Sequence, residues 1–282
     1  MTLQRQLTHH DFSILQRNRD IPVPHPIPPS ALNQQSVKVM TVSPSNPEKH
    51  PAAVSGPSRT MVAESGSLDP MQLRKMTVAL GHWEASTAAE GPGQRLALWF
   101  QGCPLRCDFC CNPGMLGFEG GTERDMQWVL QQLTESKINR GIEGVTLLGG
   151  EPTAQPNAAA TIADLAQQLD LSVMVFSGWT LEYLQNSHEA SILRLLDLTD
   201  ILVDGRYRHD LPESSRRWVG SRNQRVHFLS HRYHPDDACW KQPNTVEIRI
   251  TAEGIRWNGF PVPEFPRQTG ENPAIQPSIP SD

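Results

Sequence analysis

Apolar residues in the middle of the chain fall into short continuous runs, and the segments between these runs have a helical spacing. A short apolar run bounded by turn-forming residues is typical of a strand that is buried on both faces, as strands are in a parallel sheet. We therefore predict five strands, most of them of the parallel type. They are Leu96–Phe100, Val145–Leu148, Val173–Phe176, Ile201–Val203 and Val246–Ile250.

The intervening segments predict amphipathic helices, because apolar residues recur there at helical intervals. Such stripes begin at Met126 and at Ile162, and a further stripe covers Ile192–Leu196. We expect Thr122 to cap the first helix and Thr180 to cap a short additional one. Alternating strands and helices predict an α/β fold with a parallel sheet and right-handed crossovers, either open or closed into a barrel. The active site of such a fold lies at the carboxyl ends of the strands.

Proline divides the chain unevenly, with ten of the 24 prolines in residues 1–70 and six in residues 261–282. Interleaved proline and serine break any helical or strand period, so we predict a disordered extension over residues 1–70. A docking peptide is the alternative for this extension. The folded domain is then expected over residues 71–265, and a second disordered tail over residues 266–282.

Charge and hydropathy limit the classes of partner and the location that we expect for the protein. The chain carries 25 Lys and Arg against 30 Asp and Glu, so we expect neither nucleic acid nor an anionic membrane as a partner. No stretch approaches the roughly 18 continuous apolar residues of a membrane span, and residues 1–20 lack the apolar segment of a signal peptide. The expected location is the cytoplasm.

Four of the five cysteines lie close together, directly after the first predicted strand. Cys103, Cys107 and Cys110 have the spacing C-x3-C-x2-C. Thiolates are soft ligands for zinc or for iron–sulfur clusters, and a structural zinc site uses four protein ligands. Three thiolates on a four-iron cluster instead leave one iron without a protein ligand, as a reactive centre needs. A zinc site completed by Cys111 or by a histidine remains the alternative.

A second motif, Gly149-Gly150-Glu151-Pro152, follows the second predicted strand. Two glycines allow a ligand to approach the bare backbone, and the Glu151 carboxylate suits an ammonium group. An ordinary turn between a strand and a helix is the alternative for this segment.

The cysteine spacing, with Phe109 as the aromatic residue before the third cysteine, resembles the signature of the radical S-adenosylmethionine (SAM) superfamily. Several flanking segments resemble the glycyl-radical-enzyme activases, and some resemble in particular the activating proteins of anaerobic ribonucleotide reductase. The resemblance covers residues 77–228. Cys111 stands where that family often has histidine or tyrosine. The segments that carry it are Glu90–Arg95, Leu98–Cys107, Asn112–Gly114, Val175–Glu182, Asp200–Tyr207 and Trp218–Arg225.

This resemblance implies a partial (β/α)6-type radical SAM barrel with a 4Fe-4S cluster on Cys103, Cys107 and Cys110. It also implies that the Gly-Gly-Glu segment holds the amino group of SAM. Helix capping and turn formation are the alternative roles of Ser177 and Asp204. The implied cofactor-binding residues are Phe109, Cys111, Gly149, Gly150, Glu151, Ser177 and Asp204.

The implied activity is that of a radical SAM oxidoreductase that cleaves SAM reductively and generates a glycyl radical on a partner enzyme. The partner is of the anaerobic ribonucleotide reductase or pyruvate formate-lyase type, and a flavodoxin- or ferredoxin-type protein supplies the electron. One alternative is a small-molecule enzyme resembling the 7-carboxy-7-deazaguanine synthases. A second alternative is a non-catalytic zinc-binding adaptor.

A locally basic region follows the fourth predicted strand. We interpret it first as a solvated face, second as a partner-docking surface and third as an RNA-binding surface, which the acidic character of the whole chain disfavours. Its members are Arg206, Arg208, Arg216, Arg217, Arg222, Arg225 and Arg232.

Overall fold

The computed structural model describes residues 36–41, 54–55, 70–251 and 254–259. Within this part of the chain, the strands form an eight-stranded sheet and a three-stranded sheet. The strands are β1 (Ser36–Thr41), β2 (Val54–Ser55), β3 (Thr77–Thr87), β4 (Arg95–Phe100), β5 (Thr122–Asp125), β6 (Gly144–Gly149), β7 (Ser172–Ser177), β8 (Ile201–Asp204), β9 (Arg225–Phe228), β10 (Thr245–Thr251) and β11 (Gly254–Gly259). The helices are α1 (Pro70–Lys75), α2 (Met126–Arg140), α3 (Pro156–Gln168), α4 (Leu181–Gln185) and α5 (Ala190–Leu198). Short 3-10 turns cover Pro113–Met115, Pro152–Ala154 and Ala238–Lys241.

The centre of the large sheet is parallel, as the apolar runs predicted. The strand order is β2-β9-β8-β7-β6-β4-β3-β5, and β4, β6, β7 and β8 pair in parallel. Every residue of β4 and of β8 is buried, which explains why these strands are continuously apolar or nearly so. The prediction of a mixed α/β fold with a largely parallel central sheet is confirmed. Its closure into a partial barrel stays a prediction.

Antiparallel pairs flank the parallel centre of the large sheet, and β3, β5 and β9, which form them, were not predicted. β3 pairs antiparallel with both β4 and β5, and β9 pairs antiparallel with β8. The predicted strand Val246–Ile250 lies in β10, in the antiparallel three-stranded sheet of order β1-β10-β11. Its alternation of apolar and charged residues is the pattern of an antiparallel strand, so it does not extend the parallel sheet.

Helix α2 begins one turn later than the predicted cap implied. Asp125 is the N-cap, because its carboxylate accepts the backbone N–H of Trp128 at 2.7 Å. The predicted cap at Thr122 is wrong, since Thr122 pairs with Leu80 as part of β5. The predicted cap at Thr180 is confirmed, because its hydroxyl accepts the backbone N–H of Tyr183 at 3.3 Å.

Strand β4, which leads into the cysteines, is buried on both faces. Leu96, Leu98 and Phe100 pack in the main core with residues of the helices. Ala97 and Trp99 lie in a separate cluster with Met115 and Leu148. A strand enclosed on both faces has little freedom to move, so the segment that follows starts from a fixed position.

Two strands lie inside the predicted disordered extension. β1 pairs antiparallel with β10, and β2 pairs in parallel with β9, so the prediction of disorder is corrected at those residues. The segment Ser36–Thr41 alternates polar and apolar residues, which is the period of a strand. The rest of the extension and the predicted tail lie outside the described residues. None of the helices that the structure describes is both long and apolar enough to cross a membrane.

Candidate metal centre and cofactor site

The cysteine motif forms a closed loop at the carboxyl end of β4. The backbone N–H of Gly102 donates to Met115 O at 3.0 Å, and that of Cys103 donates to Leu116 O at 3.1 Å. The side-chain amide of Gln101 donates to Gly117 O at 2.7 Å. These bonds join the two ends of the loop, so the motif is presented at the sheet edge where the sequence predicted the active site.

All five thiols are free, and they differ in exposure. Cys103 is buried, Cys107 and Cys110 are half-buried, and Cys111 is exposed. Burial raises the pKa of the Cys103 thiol and that of the Cys110 thiol. The backbone N–H of Asn112 donates to Cys110 Sγ at 3.4 Å. Among the described residues, no three Cys, His, Asp or Glu side chains are already gathered in ligand positions.

These residues suit an iron–sulfur cluster by their donor chemistry. Soft thiol donors on one loop, with a backbone N–H directed at a sulfur, are the features by which proteins hold and tune such clusters. Two residues of the loop, Arg106 and Phe109, have left-handed backbone conformations, with φ of 51° and 53°. That conformation turns the chain sharply on either side of Cys107.

The glycines of the second motif pack directly on the cysteine loop. Gly150 N donates to Phe100 O at 2.8 Å, and Glu151 N donates to Gly102 O at 2.9 Å. A Cβ atom at Gly150 would lie 2.3 Å from Gly102 O, and one at Gly149 would lie 2.6 Å from the Cα atom of Trp99. Both glycines are therefore required for the end of β6 to approach the start of the cysteine loop.

Glu151 is buried and holds the end of β7. Its carboxylate accepts the backbone N–H and the hydroxyl of Thr153 at 3.0 and 2.7 Å, and the backbone N–H of Gly178 at 2.9 Å. It also accepts the hydroxyl of Ser177 at 3.1 Å. Burial raises the pKa of this carboxyl group. The structure thus brings together two of the predicted residues, Glu151 and Ser177, across neighbouring strands.

The Asp204 carboxylate, at the end of β8, is held by contacts with other residues of the protein. Its carboxylate accepts the backbone N–H of Leu181 at 2.7 Å and pairs with the guanidinium of Arg225 at 2.5 Å. His227 Nε2 lies 3.0 Å away. Although burial opposes ionisation, the interactions with His227, Arg225 and Leu181 lower the pKa of Asp204 to about 2. Its alternative role, fixing the start of α4, is one that it performs in the structure.

The remaining predicted residues lie on the outside of the cysteine loop. The Phe109 side chain is 68% exposed, and its ring centroid lies 4.2 Å from that of His209. Cys111 is exposed as well. Both side chains are therefore accessible to a ligand that approaches the loop.

Sequence reasoning missed Thr153, Gly178 and Arg225 as parts of the site. Thr153 could have been predicted from the sequence, because a threonine two residues after an acidic residue is a local capping pattern. Gly178 approaches Leu105 so closely that a Cβ atom would lie 2.3 Å from Leu105 Cδ1, but this contact joins residues far apart in the sequence. The same distance in sequence hides the pairing of Arg225 with Asp204.

The basic region consists largely of paired arginines. Arg216 pairs with Glu213 at 2.6 Å, and Arg232 pairs with Asp170 at 2.6 Å. Arg208 pairs with Asp210 at 2.6 Å on the exposed surface. These pairs favour the interpretation of a solvated face over that of a docking surface.

The fold and the thiol-bearing loop define an iron–sulfur protein of the α/β class, and residues 89–227 match the family described as a 4Fe-4S single cluster domain. The chain is 31% identical over 147 residues to the anaerobic ribonucleoside-triphosphate reductase-activating protein of Escherichia coli K12, a match that covers 49% of this chain and 91% of that protein. The protein of the same name from Vibrio cholerae is 30% identical over 145 residues, covering 49% and 89%. The chain belongs to the glycyl-radical-enzyme activases of the radical SAM superfamily, as the motifs predicted.

Two further similarities are more partial. The pyruvate formate-lyase-activating enzyme of Clostridium pasteurianum is 31% identical over 125 residues, covering 43% of this chain and 52% of that enzyme. A crystal structure of QueE from Escherichia coli aligns at 16% identity over 41% of this chain and 59% of that chain, with a TM-score of 0.30. That score is too low for an element-by-element comparison of the two folds.

Proposed function

We propose that this protein generates a glycyl radical on a partner enzyme, anaerobic ribonucleoside-triphosphate reductase, by reductive cleavage of SAM at a 4Fe-4S cluster. The observation that carries the proposal is the junction between its two motifs. The cysteine loop and the Gly-Gly-Glu segment leave neighbouring parallel strands, and the Glu151 N–H bond to Gly102 O, 2.9 Å long, joins them. This junction supports the proposal, because it brings the proposed cluster ligands and the proposed SAM-binding backbone to one edge of the sheet.

Cys103, Cys107 and Cys110 would hold the cluster as thiolates and leave one iron without a protein ligand. A 4Fe-4S cluster bound there supplies the electron for the cleavage of SAM. Cys103 is buried, whereas Cys107 and Cys110 are half-buried, so the proposed ligands are partly shielded from water.

The segment Gly149–Glu151 would hold the amino group of SAM. All the donors that contact the Glu151 carboxylate in the described structure are neutral groups of Thr153, Ser177 and Gly178. Its negative charge is therefore ordered by these contacts without being cancelled by them. A nearby ammonium group stabilises such a buried carboxylate.

Four further residues complete the proposed cofactor site. Phe109 and Cys111 are exposed on the cysteine loop and accessible to the nucleoside part of SAM. Ser177 would act through the Glu151 carboxylate that its hydroxyl contacts, and Asp204 through the start of α4 that it holds. These four roles rest on position at the carboxyl edge of the sheet.

The large sheet is proposed to curve as a partial (β/α)6-type barrel within a radical SAM domain of residues 71–265. Contacts between loops at the carboxyl edge support this, because Phe109 after β4 meets His209 after β8, across two intervening strands. A barrel that is open on one side would admit a loop of the partner enzyme.

A flavodoxin- or ferredoxin-type protein is proposed as the electron source, and the cytoplasm as the location. The sequence has five cysteines, four of them within residues 103–111, which is unlike a disulfide scaffold and supports a reducing compartment.

The test is anaerobic reconstitution of the protein with iron and sulfide, followed by incubation with reductant and SAM. We expect bound iron, release of 5′-deoxyadenosine and methionine, and a glycyl-radical signal in electron paramagnetic resonance when anaerobic ribonucleotide reductase is added. Zinc in place of iron would instead support the adaptor. Nucleoside release that requires a pterin-like metabolite and gives no signal on the reductase would support the deazaguanine synthase type.

A further inference from the structure

The loop that follows β8 contacts the cysteine loop at two points, one on each side of Cys107. The Arg206 guanidinium donates to the backbone oxygen of Leu105, two residues before Cys107. The ring of His209 lies 4.2 Å from that of Phe109, two residues after Cys107, at an interplanar angle of 44°. The segment that carries the middle cysteine is therefore held at both ends by one neighbouring loop.

The loop after β8 is itself anchored, so it can act as a fixed support. The Asn223 side chain donates to Arg206 O at 2.8 Å, and the Gln224 side chain donates to Gly205 O at 3.0 Å. The backbone N–H of Arg208 donates to the Ser221 hydroxyl at 3.1 Å. The turn formed by residues 221–224 thus fixes the backbone from which the Arg206 and His209 side chains project.

The cysteine loop needs such support because two of its residues adopt unfavourable conformations. Arg106 and Phe109 have φ values of 51° and 53°, and a non-glycine residue stays in that region only where its surroundings fix it. Cys103 is held by the core, and Cys110 receives the N–H of Asn112. The contacts from Arg206 and His209 supply the corresponding restraint around Cys107.

Arg206 also places a positive charge beside the proposed cluster. Its contact point, Leu105, lies two residues from both Cys103 and Cys107. Reduction adds negative charge to a cluster, so a nearby cation favours the reduced state and raises the reduction potential. Solvent screens this effect in part, because the Arg206 side chain is exposed.

We propose that Arg206 and His209 are positioning residues for the cysteine loop, and that Arg206 in addition makes the cluster easier to reduce. The second statement rests on the proposed function, since it requires the cluster. The first concerns the apo-protein and stands independently of the cluster.

The first test measures alkylation of the full-length apo-protein by iodoacetamide, with fragment-resolved mass spectrometry and Cys239 as the internal reference. Arg206→Gln and His209→Ala should each raise the labelling rate of Cys107 by about fivefold, the change that follows from losing one contact of about 1 kcal/mol. His209→Phe keeps an aromatic ring and should restore the rate. Arg208→Gln, two residues away and paired only on the surface, is the matched control and should leave the rate unchanged.

The second test measures the midpoint potential of the reconstituted cluster. Arg206→Gln should lower the potential, whereas Arg206→Lys, which keeps the charge, should retain most of it. Unchanged Cys107 labelling in both Arg206→Gln and His209→Ala would overturn the positioning role. Equal potentials for Arg206→Gln and wild type would overturn the electrostatic role. If the wild type binds no iron, the proposed function fails while the labelling result still decides the positioning role.

Discussion

Two of the regions in which the protein buries carboxylates compensate them differently. At the carboxyl edge of the parallel sheet, Glu151 contacts the neutral donors of Thr153, Ser177 and Gly178. Between β3 and the hairpin of β10 and β11, Glu247 pairs with the Arg249 guanidinium at 2.7 Å. Burial of an acid is costly unless a cation or hydrogen bonds compensate it.

The two carboxylates differ in the charge of the groups that they contact. Arg249 also lies 3.3 Å from Glu84 and donates to Ser86 O at 2.8 Å, so its guanidinium compensates Glu247 and Glu84 and holds β10 against β3. Glu151 has no cation among its contacts, and we propose that the ammonium group of SAM compensates it. A buried acid without a cationic partner, placed beside the cysteine loop, supports the proposed cofactor site.

Removal of the Arg249 guanidinium from the β10–β11 hairpin should have the largest effect on the stability of the fold. Arg249→Met leaves the buried carboxylates of Glu247 and Glu84 without their common partner, and breaking a buried pair costs about 3–5 kcal/mol. We expect urea titration to show a decrease of this size in the free energy of unfolding. The iron content of the folded, reconstituted fraction should be unchanged, and its loss would show that the two regions are not independent.

Glu90 should make the same region sensitive to pH. Burial raises the pKa of Glu90 to about 7, although its carboxylate accepts the N–H of Gly259 at 2.8 Å. The folded protein therefore holds this proton more tightly than the unfolded chain does. The stabilisation is complete below pH about 4.5 and is lost as the pH rises through about 7, by up to ~3 kcal/mol.

The variant Glu90→Gln should flatten this pH dependence, because a neutral side chain of the same size keeps an acceptor for Gly259. Thermal unfolding between pH 5 and pH 8 measures the effect. A Glu90→Gln variant whose melting temperature falls with pH as steeply as that of the wild type would contradict the assignment.

A methyl group at Gly150 should disrupt the contact between the Gly-Gly-Glu segment and the cysteine loop. The Cβ atom of Gly150→Ala would lie 2.3 Å from Gly102 O, a backbone atom that cannot move aside without shifting the cysteine loop. We expect a loss of about 2 kcal/mol in stability, as overpacking causes, together with reduced iron binding. Gly114→Ala is the matched control, because its Cβ atom would meet nothing within 4 Å. Equal iron content in the two variants would refute this packing role.

The variant with the smallest expected effect on stability tests the difference between Glu151 and Glu247 most directly. Glu151→Gln keeps the size of the side chain, but its amide nitrogen cannot accept the N–H of Gly178 as the carboxylate oxygen does, so the free energy of unfolding should fall by about 1 kcal/mol. Its affinity for SAM should fall about tenfold, because the charge that faces the ammonium group is lost. Glu247→Gln is the control and should leave SAM affinity unchanged. Isothermal titration with SAM decides between them, and equal affinities would remove the functional distinction.

The sequence predicted the parallel centre of the fold because local patterns determine it. Continuous apolar runs mark β4, β6, β7 and β8, since strands buried on both faces contain few polar residues. β3 escaped prediction because its pairing is antiparallel and irregular, with register shifts on both sides of its central residues. Thr122 fits a local capping pattern, but its pairing with the distant Leu80 overrides that pattern.

The candidate site likewise has residues that the sequence predicts and contacts that it does not predict. Cys103, Cys107 and Cys110 could be found because their spacing is local. The contacts of Asp204 with Arg225 and of Phe109 with His209 join residues far apart in the chain, and they depend on how loops meet at the sheet edge. Spacing therefore predicts the ligands, whereas the contacts around them become visible only in three dimensions.

The most direct measurement is the iron content of single alanine variants at Cys103, Cys107 and Cys110 after anaerobic reconstitution, together with 5′-deoxyadenosine release from SAM. Cys239→Ala, which removes a free thiol outside the loop, is the control. Each of the three variants should lose both the iron and the release, while Cys239→Ala keeps both. Any of the three that retains wild-type iron and wild-type release would contradict the account.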